Sequence, residues 1–370
     1  MMKDRQLRIA IIGLDHWYWA MGSARAVALN PETELAAIVA NDRDQAKATA
    51  SVYGAEWWGI DSAPVLADPQ IDAVVITGTT ASHDELATQA AAAGKHILIG
   101  KPISRTLTGA DRIIQAARSN DVRLVCFGAG PNPGDPVKAL VDQDIIGEPY
   151  AVTSSVRAIV PLRAPGVAEP GWFVDATQAA GGAFIDHAIY AAAMLGMFFG
   201  STVESVHAEM RKMVHKEWTV EDWGVAFLRY KNGAMGTVES TFGHTPYGIN
   251  MMVVTGPKGE IERRGAQITM TTQGPPYNNP HTINRLPPNP FYRTIEDHRA
   301  PAIGNAAVAA DMITEFVEVI RTGRETLNSP EAAREGLEVC LAAYKSVEIG
   351  APVRLPLVGD VDVPAILARL

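Results

Sequence analysis

Short apolar runs punctuate the first third of the chain: Leu7 to Gly13 (Leu-Arg-Ile-Ala-Ile-Ile-Gly), Leu35 to Ala40, Ile71 to Thr77, His96 to Ile99 and Arg123 to Phe127. They do not alternate strictly with polar residues, which suits strands buried on both faces of a parallel sheet. Between them, Trp19 to Leu29, the alanine-rich stretch after Asn41-Asp42-Arg43-Asp44, His83 to Ala93 and Gly109 to Ala117 predict helices. Ser82 and Glu85 have the spacing of a capping box, and Gly94 stands where a left-handed helix end is wanted. This βαβ alternation predicts an open, doubly wound sheet, with its ligand crevice beyond the carboxyl ends of the strands.

The pattern changes after the glycine- and proline-rich Gly128 to Pro136, which marks a domain boundary. Tyr150 to Val160, Val203 to Met210, Val225 to Tyr230, Ala234 to Thr241 and Ile249 to Thr255 read as strands. Lys231-Asn232-Gly233 and Gly256-Pro257-Lys258-Gly259 supply hairpin turns, so this part predicts an α+β domain with a mainly antiparallel sheet. A helix is expected from Gly181 to Phe199, and Trp172-Phe173 before it suit a pocket wall. Thr271 to Ala302, rich in proline and asparagine, reads as a long loop, either a lid, an arm to another subunit or a passive excursion. Two helices end the chain. One has an apolar face of Val308, Met312, Phe316, Val319 and Ile320; the other is capped by Ser329 and carries Leu337, Cys340, Leu341 and Tyr344.

Composition narrows the possible roles. A chain of 370 residues exceeds one ordinary core, and 47% hydrophobic against 20% charged residues is a globular balance. The net charge of -9 disfavours nucleic acid or an anionic membrane as partner. There is no run of about 18 apolar residues, no export-type leader, and the two cysteines lie in apolar runs. The expectation is therefore a cytoplasmic protein with reduced, buried thiols. The nine histidines and two cysteines show no metal-ligand spacing.

Candidate chemistry gathers at strand ends and on one helix. Gly13-Leu14-Asp15-His16-Trp17-Tyr18 departs from Gly-x-Gly-x-x-Gly, but its first glycine still permits backbone N-H groups to approach a pyrophosphate. A turn that binds nothing is the alternative. Asp42 fits an acceptor for ribose hydroxyls, and Arg43 beside it suits a 2'-phosphate; the carboxylate favours NAD over NADP. Lys101, before Pro102, is biased to extended backbone that presents its ammonium at a strand end. In Ala180 to Tyr190 (Ala-Gly-Gly-Ala-Phe-Ile-Asp-His-Ala-Ile-Tyr), helical geometry puts Asp186 and Tyr190 on one face with His187 beside them.

Taken together, these stretches resemble the Gfo/Idh/MocA family (glucose-fructose oxidoreductase and inositol dehydrogenase relatives). Gly94 to Pro102 is similar to its Gly-Lys-His-Val-x-x-Glu-Lys-Pro segment, and Ala180 to Tyr190 to its Gly-Gly-Gly-x-x-x-Asp-x-x-x-His segment. Glu221-Asp222, Lys231 to Ala234 and the tail from Ala342 to Pro356 also resemble family features. Gly100 replaces the family's glutamate, Tyr190 its usual histidine, and two fingerprint glycines are missing. The resemblance implies a Rossmann domain over residues 1–127 and a substrate-binding and oligomerisation domain over 128–370, assembled as a dimer or tetramer. It implies an NAD- or NADP-dependent oxidoreductase acting on a secondary alcohol of a sugar, polyol or related cyclic alcohol. A cofactor-retaining lyase or glycoside hydrolase, and a non-catalytic ligand-binding protein, are the alternatives. By carry-over, Lys101 and Asp186 occupy catalytic positions and Tyr190 stands where many members have histidine; with the neighbouring His187 they make the catalytic set, either His187 or Tyr190 accepting the proton and Lys101 stabilising an alkoxide. Gly13, Asp15, His16, Trp17, Asp42, Arg43, Thr79, His83 and Lys101 are the cofactor set.

Overall fold

The computed structural model describes residues 5–130, 135–163, 167, 169–243, 249–265, 267–272, 281–285 and 306–370. The apolar runs of the first third form a parallel sheet from β1 (Leu7–Ile12), β2 (Thr33–Val39), β3 (Trp57–Gly59), β4 (Ala73–Ile76), β5 (His96–Ile99) and β6 (Leu124–Cys126). The order is β3-β2-β1-β4-β5-β6, so the chain reverses direction between β1 and β4. That switch opens a crevice at the strands' carboxyl ends. Helices α1 (Trp17–Leu29), α2 (Arg43–Tyr53), α3 (Ala63–Ala67), α4 (His83–Ala92) and α5 (Leu107–Ser119) cover the faces.

After α6 (Pro136–Val141) come β7 (Ala151–Arg157), α7 (Ala183–Phe199), β8 (Val203–Arg211), β9 (Trp223–Tyr230), β10 (Met235–Thr241), β11 (Ile249–Gly256), β12 (Gly259–Arg264), β13 (Gln267–Thr272) and β14 (His281–Arg285). Helices α8 (Ala306–Thr322) and α9 (Pro330–Ile349), strand β15 (Val353–Arg354) and helix α10 (Val363–Leu367) complete the described chain. The second sheet has nine strands in the order β14-β13-β12-β11-β7-β10-β9-β8-β15. Its pairings are antiparallel except β7 with β10, which run parallel in the centre. One face of this sheet packs against α7 and α9; Leu195, Val206, Ala226, Leu228, Leu337 and Leu341 lie in that core.

Several expectations need correction. Ser82 makes no side-chain cap on α4. A 3-10 turn, Thr80–Ser82, feeds directly into the helix, so Ser82 is already helical and its hydroxyl donates back to Thr79 O at 2.8 Å. Gly94 does adopt the left-handed conformation, at φ +71°. The expected loop from Thr271 is a strand at its start, in β13, and again at His281–Arg285; the remainder, 273–280 and 286–302, lies outside the described residues. Helix α1 starts at Trp17 rather than Trp19. Both cysteines are free and buried, and among the described residues no helix is long and apolar enough to cross a membrane.

Candidate active site

Gly13 shapes the turn that opens the crevice. It has φ +89°, and a Cβ there would lie 2.4 Å from Gly78 N. Only glycine lets the ends of β1 and β4 come this close without moving backbone. The first turn of α1 follows, with His16 at its N-cap position making no side-chain cap. Trp19 N already donates to His16 O at 3.0 Å, so the N-H groups of Trp17 and Tyr18 are the ones left for an anion. Asp15 turns aside: Asn41 Nδ2 reaches both of its carboxylate oxygens at 3.3 Å. Burial pushes the Asp15 carboxyl up, against that hydrogen bond. A 3-10 turn at Gly171–Val174 closes over this corner. Trp172 Nε1 donates to Asp15 O at 3.0 Å, and Trp17 Nε1 to Leu162 O at 2.8 Å. The Trp172 and Phe173 rings stand edge-on to His16, so the two aromatics do form a wall.

Asp42 ends β2 as the N-cap of α2, accepting from Gln45 N at 2.8 Å with one oxygen. Arg43 lies 5.3 Å from the centre of the Trp58 ring. Thr79 Oγ1 donates to Gln178 Oε1 at 3.1 Å, tying the end of β4 to the approach of α7. His83 is buried, with Nδ1 2.9 Å from Pro102 O and Nε2 without a hydrogen-bond partner among the described residues. A Cβ on Gly100 would stand 3.7 Å from that nitrogen. A glycine-lined approach, an uncapped helix start, a ribose-type carboxylate and an orphaned buried nitrogen along one crevice fit a dinucleotide.

At the inner end of the crevice, α7 meets Lys101. The N-terminus of α7 is held by a carboxylate from elsewhere: Glu221 accepts from Gly182 N and Phe184 N, each at 3.0 Å, and from Tyr344 Oη at 2.9 Å. Negative charge at a helix start is favourable, but burial pushes the Glu221 carboxyl up to about 7. One turn on, Lys101 Nζ donates to Asp186 Oδ1 at 2.5 Å and to Asp186 O at 2.7 Å. Burial opposes the Asp186 charge, yet Lys101 and His187 outweigh it and hold this carboxyl below its ordinary range.

His187 has its tautomer fixed by Ser240 on β10. The Ser240 hydroxyl donates to Ala183 O at 2.6 Å, so it can only accept from His187 Nδ1, 2.7 Å away. Nδ1 therefore carries the proton, and Nε2 has a free lone pair 3.4 Å from Asp186 Oδ2. Burial lowers the His187 pKa to about 4, with Lys101 assisting and Asp186 opposing, so the ring is neutral at pH 7.

Tyr190 meets Lys101 through its ring. Lys101 Nζ faces its ring, 5.0 Å from the centroid, and gives its hydrogen bonds to Asp186. Burial and then Asp186 push the phenol up, partly offset by a hydrogen bond with Trp19. Tyr190 also packs beneath Gly128, where a Cβ would fall 2.4 Å from its Cε1. Glu221, Ser240 and Trp19 complete the arrangement, and sequence reading had no role for them as site groups. A paired Glu221-Asp222 was the one available signal.

Comparison with known proteins agrees with this geometry. Residues 7–127 match the oxidoreductase family with an NAD-binding Rossmann fold, and residues 136–262 match the GFO/IDH/MocA C-terminal domain. Myo-inositol 2-dehydrogenase of Thermotoga maritima is 26% identical over 94% of this chain and 98% of its own. The NAD(+)-named scyllo-inositol 2-dehydrogenase of Bacillus subtilis is 25% identical over 95% and 97%. In fold, the chain is similar to an Agrobacterium radiobacter oxidoreductase solved with NAD+, L-tartaric acid and magnesium, with TM-score 0.79 and 22% identity over 94% and 98% of the two chains. With both halves matched in order and the crevice of a dinucleotide enzyme between them, the chain belongs to the Gfo/Idh/MocA family of NAD-binding oxidoreductases.

Proposed function

We propose that this enzyme oxidises a secondary alcohol of a sugar, inositol or related cyclic polyol, with His187 as proton acceptor and NAD as the preferred cofactor. The inositol dehydrogenases among its relatives support the substrate class. The observation that carries the reading is the Ser240-His187-Asp186-Lys101 chain, which leaves one unprotonated nitrogen, His187 Nε2, beside the carboxylate that holds the Lys101 ammonium.

When bound, the nicotinamide supplies the acceptor for the electron pair. The substrate hydroxyl gives its proton to His187 Nε2, and the imidazolium so formed has Asp186 Oδ2 3.4 Å away to offset its charge. Protonation thus converts a contact between two acceptors into an ion pair. The third proton of Lys101 Nζ is free to donate to the developing alkoxide, since Asp186 takes the other two. Tyr190 keeps Lys101 in place through its ring face and excludes water.

Asp42 supports NAD, because a 2'-phosphate there would meet a carboxylate, whereas ribose hydroxyls would donate to it. Parallel fluorescence titrations with NADH and NADPH test this choice; tighter NADPH binding overturns it. A panel of inositols, aldoses and glycosides, scored for NADH and for cleavage products, tests the reaction. Net NADH without cleavage is the expected outcome, and cleavage without net NADH refutes the proposal.

A further inference from the structure

The first turn of the crevice carries a carboxylate where the dinucleotide fingerprint has its second glycine. Asp15, just past β1, lies between the ends of the two strands that flank β1. On one side Asn41, just past β2, reaches both carboxylate oxygens with Nδ2 at 3.3 Å. On the other, a Cβ on Gly78, just past β4, would stand 3.8 Å from Oδ2, so glycine there leaves that oxygen without a side chain over it. The carboxylate thus sits across the switch point on which the crevice is built. It is partly exposed, and Asn41 supplies its side-chain hydrogen bond. Burial pushes the carboxyl up, and no cation among the described residues offsets this. Arg43 and Lys47, on the first turns of α2, face the Trp58 ring at 5.3 and 6.0 Å from its centre.

We propose that Asp15 is a specificity-determining residue for the cofactor, whose carboxylate accepts from an adenosine-ribose hydroxyl of NAD and repels the 2'-phosphate of NADP. The proposal rests on the preference for NAD stated above. A carboxylate has about four lone-pair sites, and the long, shared contact with Asn41 leaves acceptor capacity for a hydroxyl. A ribose O-H supplies the donor that this half-buried charge lacks. A 2'-phosphate is an acceptor with roughly two negative charges, and beside a carboxylate with no cation to offset it the repulsion is felt in full. Asp42 contributes from the same end of β2, but one of its oxygens is held by Gln45 N. Arg43, the cation suited to a 2'-phosphate, would have to leave the Trp58 ring to meet one. Glycine in place of Asp15 would offer neither the acceptor nor the repulsion.

The test titrates NADH and NADPH by fluorescence into the full chain as wild type, Asp15→Asn and Asp15→Ala, with thermal melts to check folding. Asp15→Asn keeps the shape and an oxygen for Asn41, and Asp15→Ala asks nothing of the surrounding packing. A second arm competes 5'-AMP and 2',5'-ADP against NADH, because these probes carry the difference at the 2' position without the pyrophosphate. In Asp15→Asn, NADPH is expected to bind at least about tenfold tighter while NADH changes by less than about threefold, and 2',5'-ADP should gain on 5'-AMP in the same ratio. In Asp15→Ala, which also lacks the acceptor, NADH should weaken and NADPH should not. The role of Asp15 is overturned by an NADPH-to-NADH ratio that stays within about threefold of wild type in both variants. Equal tightening of both cofactors overturns it too, since that would place the repulsion at the pyrophosphate they share. Tighter NADPH than NADH in wild type instead overturns the NAD preference, so the two failures are read from different proteins.

Discussion

His187→Asn separates the proposed base from the fold that holds it. The asparagine amide can occupy the place of Nδ1 and still donate to Ser240, whose own proton is committed to Ala183 O. What disappears is the lone pair at Nε2. A positioned general base contributes roughly 10²- to 10⁴-fold, or about 3–5 kcal/mol of barrier at 1.36 kcal/mol per decade. The loss should fall on kcat and kcat/KM together, because the proton moves only as the hydroxyl reacts. The assay is NADH formation across pH 3.5–9 on the best substrate of the polyol panel. Wild type should show an acid limb of kcat/KM near about 4, where burial has placed His187, and a flat profile through pH 6.5. In the variant, residual activity should lose that limb. Wild-type turnover in His187→Asn, joined to a large loss in Tyr190→Phe, would refute the assignment and return the role to the phenol.

Further tests probe the supporting parts. Lys101→Ala should lower turnover at least about 100-fold, while Tyr190→Phe, which keeps the ring beneath the ammonium, should cost less than about tenfold. Gly13→Ala must force a Cβ against Gly78 backbone at positive φ, so it should lose at least about 2 kcal/mol in urea denaturation and weaken NADH binding tenfold or more. Glu221 has a folded pKa of about 7, above its unfolded value, so its contribution is full below about pH 4.5 and fades as pH rises through 7. Relative to wild type, Glu221→Gln should therefore gain about 3 kcal/mol between pH 4.5 and 7, at 1.36 kcal/mol per unit, read from urea curves at the two pH values. A pH-independent difference between the two proteins would show that Glu221 titrates normally.

The parallel sheet was legible because its central strands are buried on both faces: β4 has no exposed position, and β1 only one that is partly so. The strand β12 was harder, since Glu-Ile-Glu-Arg-Arg offers a single buried side chain, Ile261, to mark its inward face. Pairing of β7 with β10 could not be read at all, as parallel contact across intervening elements leaves no local pattern. At the site, helical spacing was enough to bring Asp186, His187 and Tyr190 together. It could not tell which atom carries a proton. That depends on Ser240, 53 positions away, and on β10 presenting its buried face to α7. Asp42 illustrates a different limit: a carboxylate before a helix reads equally as a ligand group or a cap, and here one of its oxygens caps.

Helix α8 has a consequence in time. Its Met312, Ile313, Phe316 and Val317 share a core with Leu7, Ile9 and Ile11 of β1 and with Trp19, Ala20 and Val27 of α1, although they lie roughly 180 residues after Phe127. On a ribosome adding about 5–20 residues per second, the first sheet would wait roughly 10–40 s for the helix that covers it. During that interval α1 shows an apolar stripe to solvent or to a chaperone, and a chain released at residue 127 keeps it exposed indefinitely. The strands that are made first thus belong to a layer finished almost last, and expression of the first half alone should give aggregate unless α8 is supplied with it.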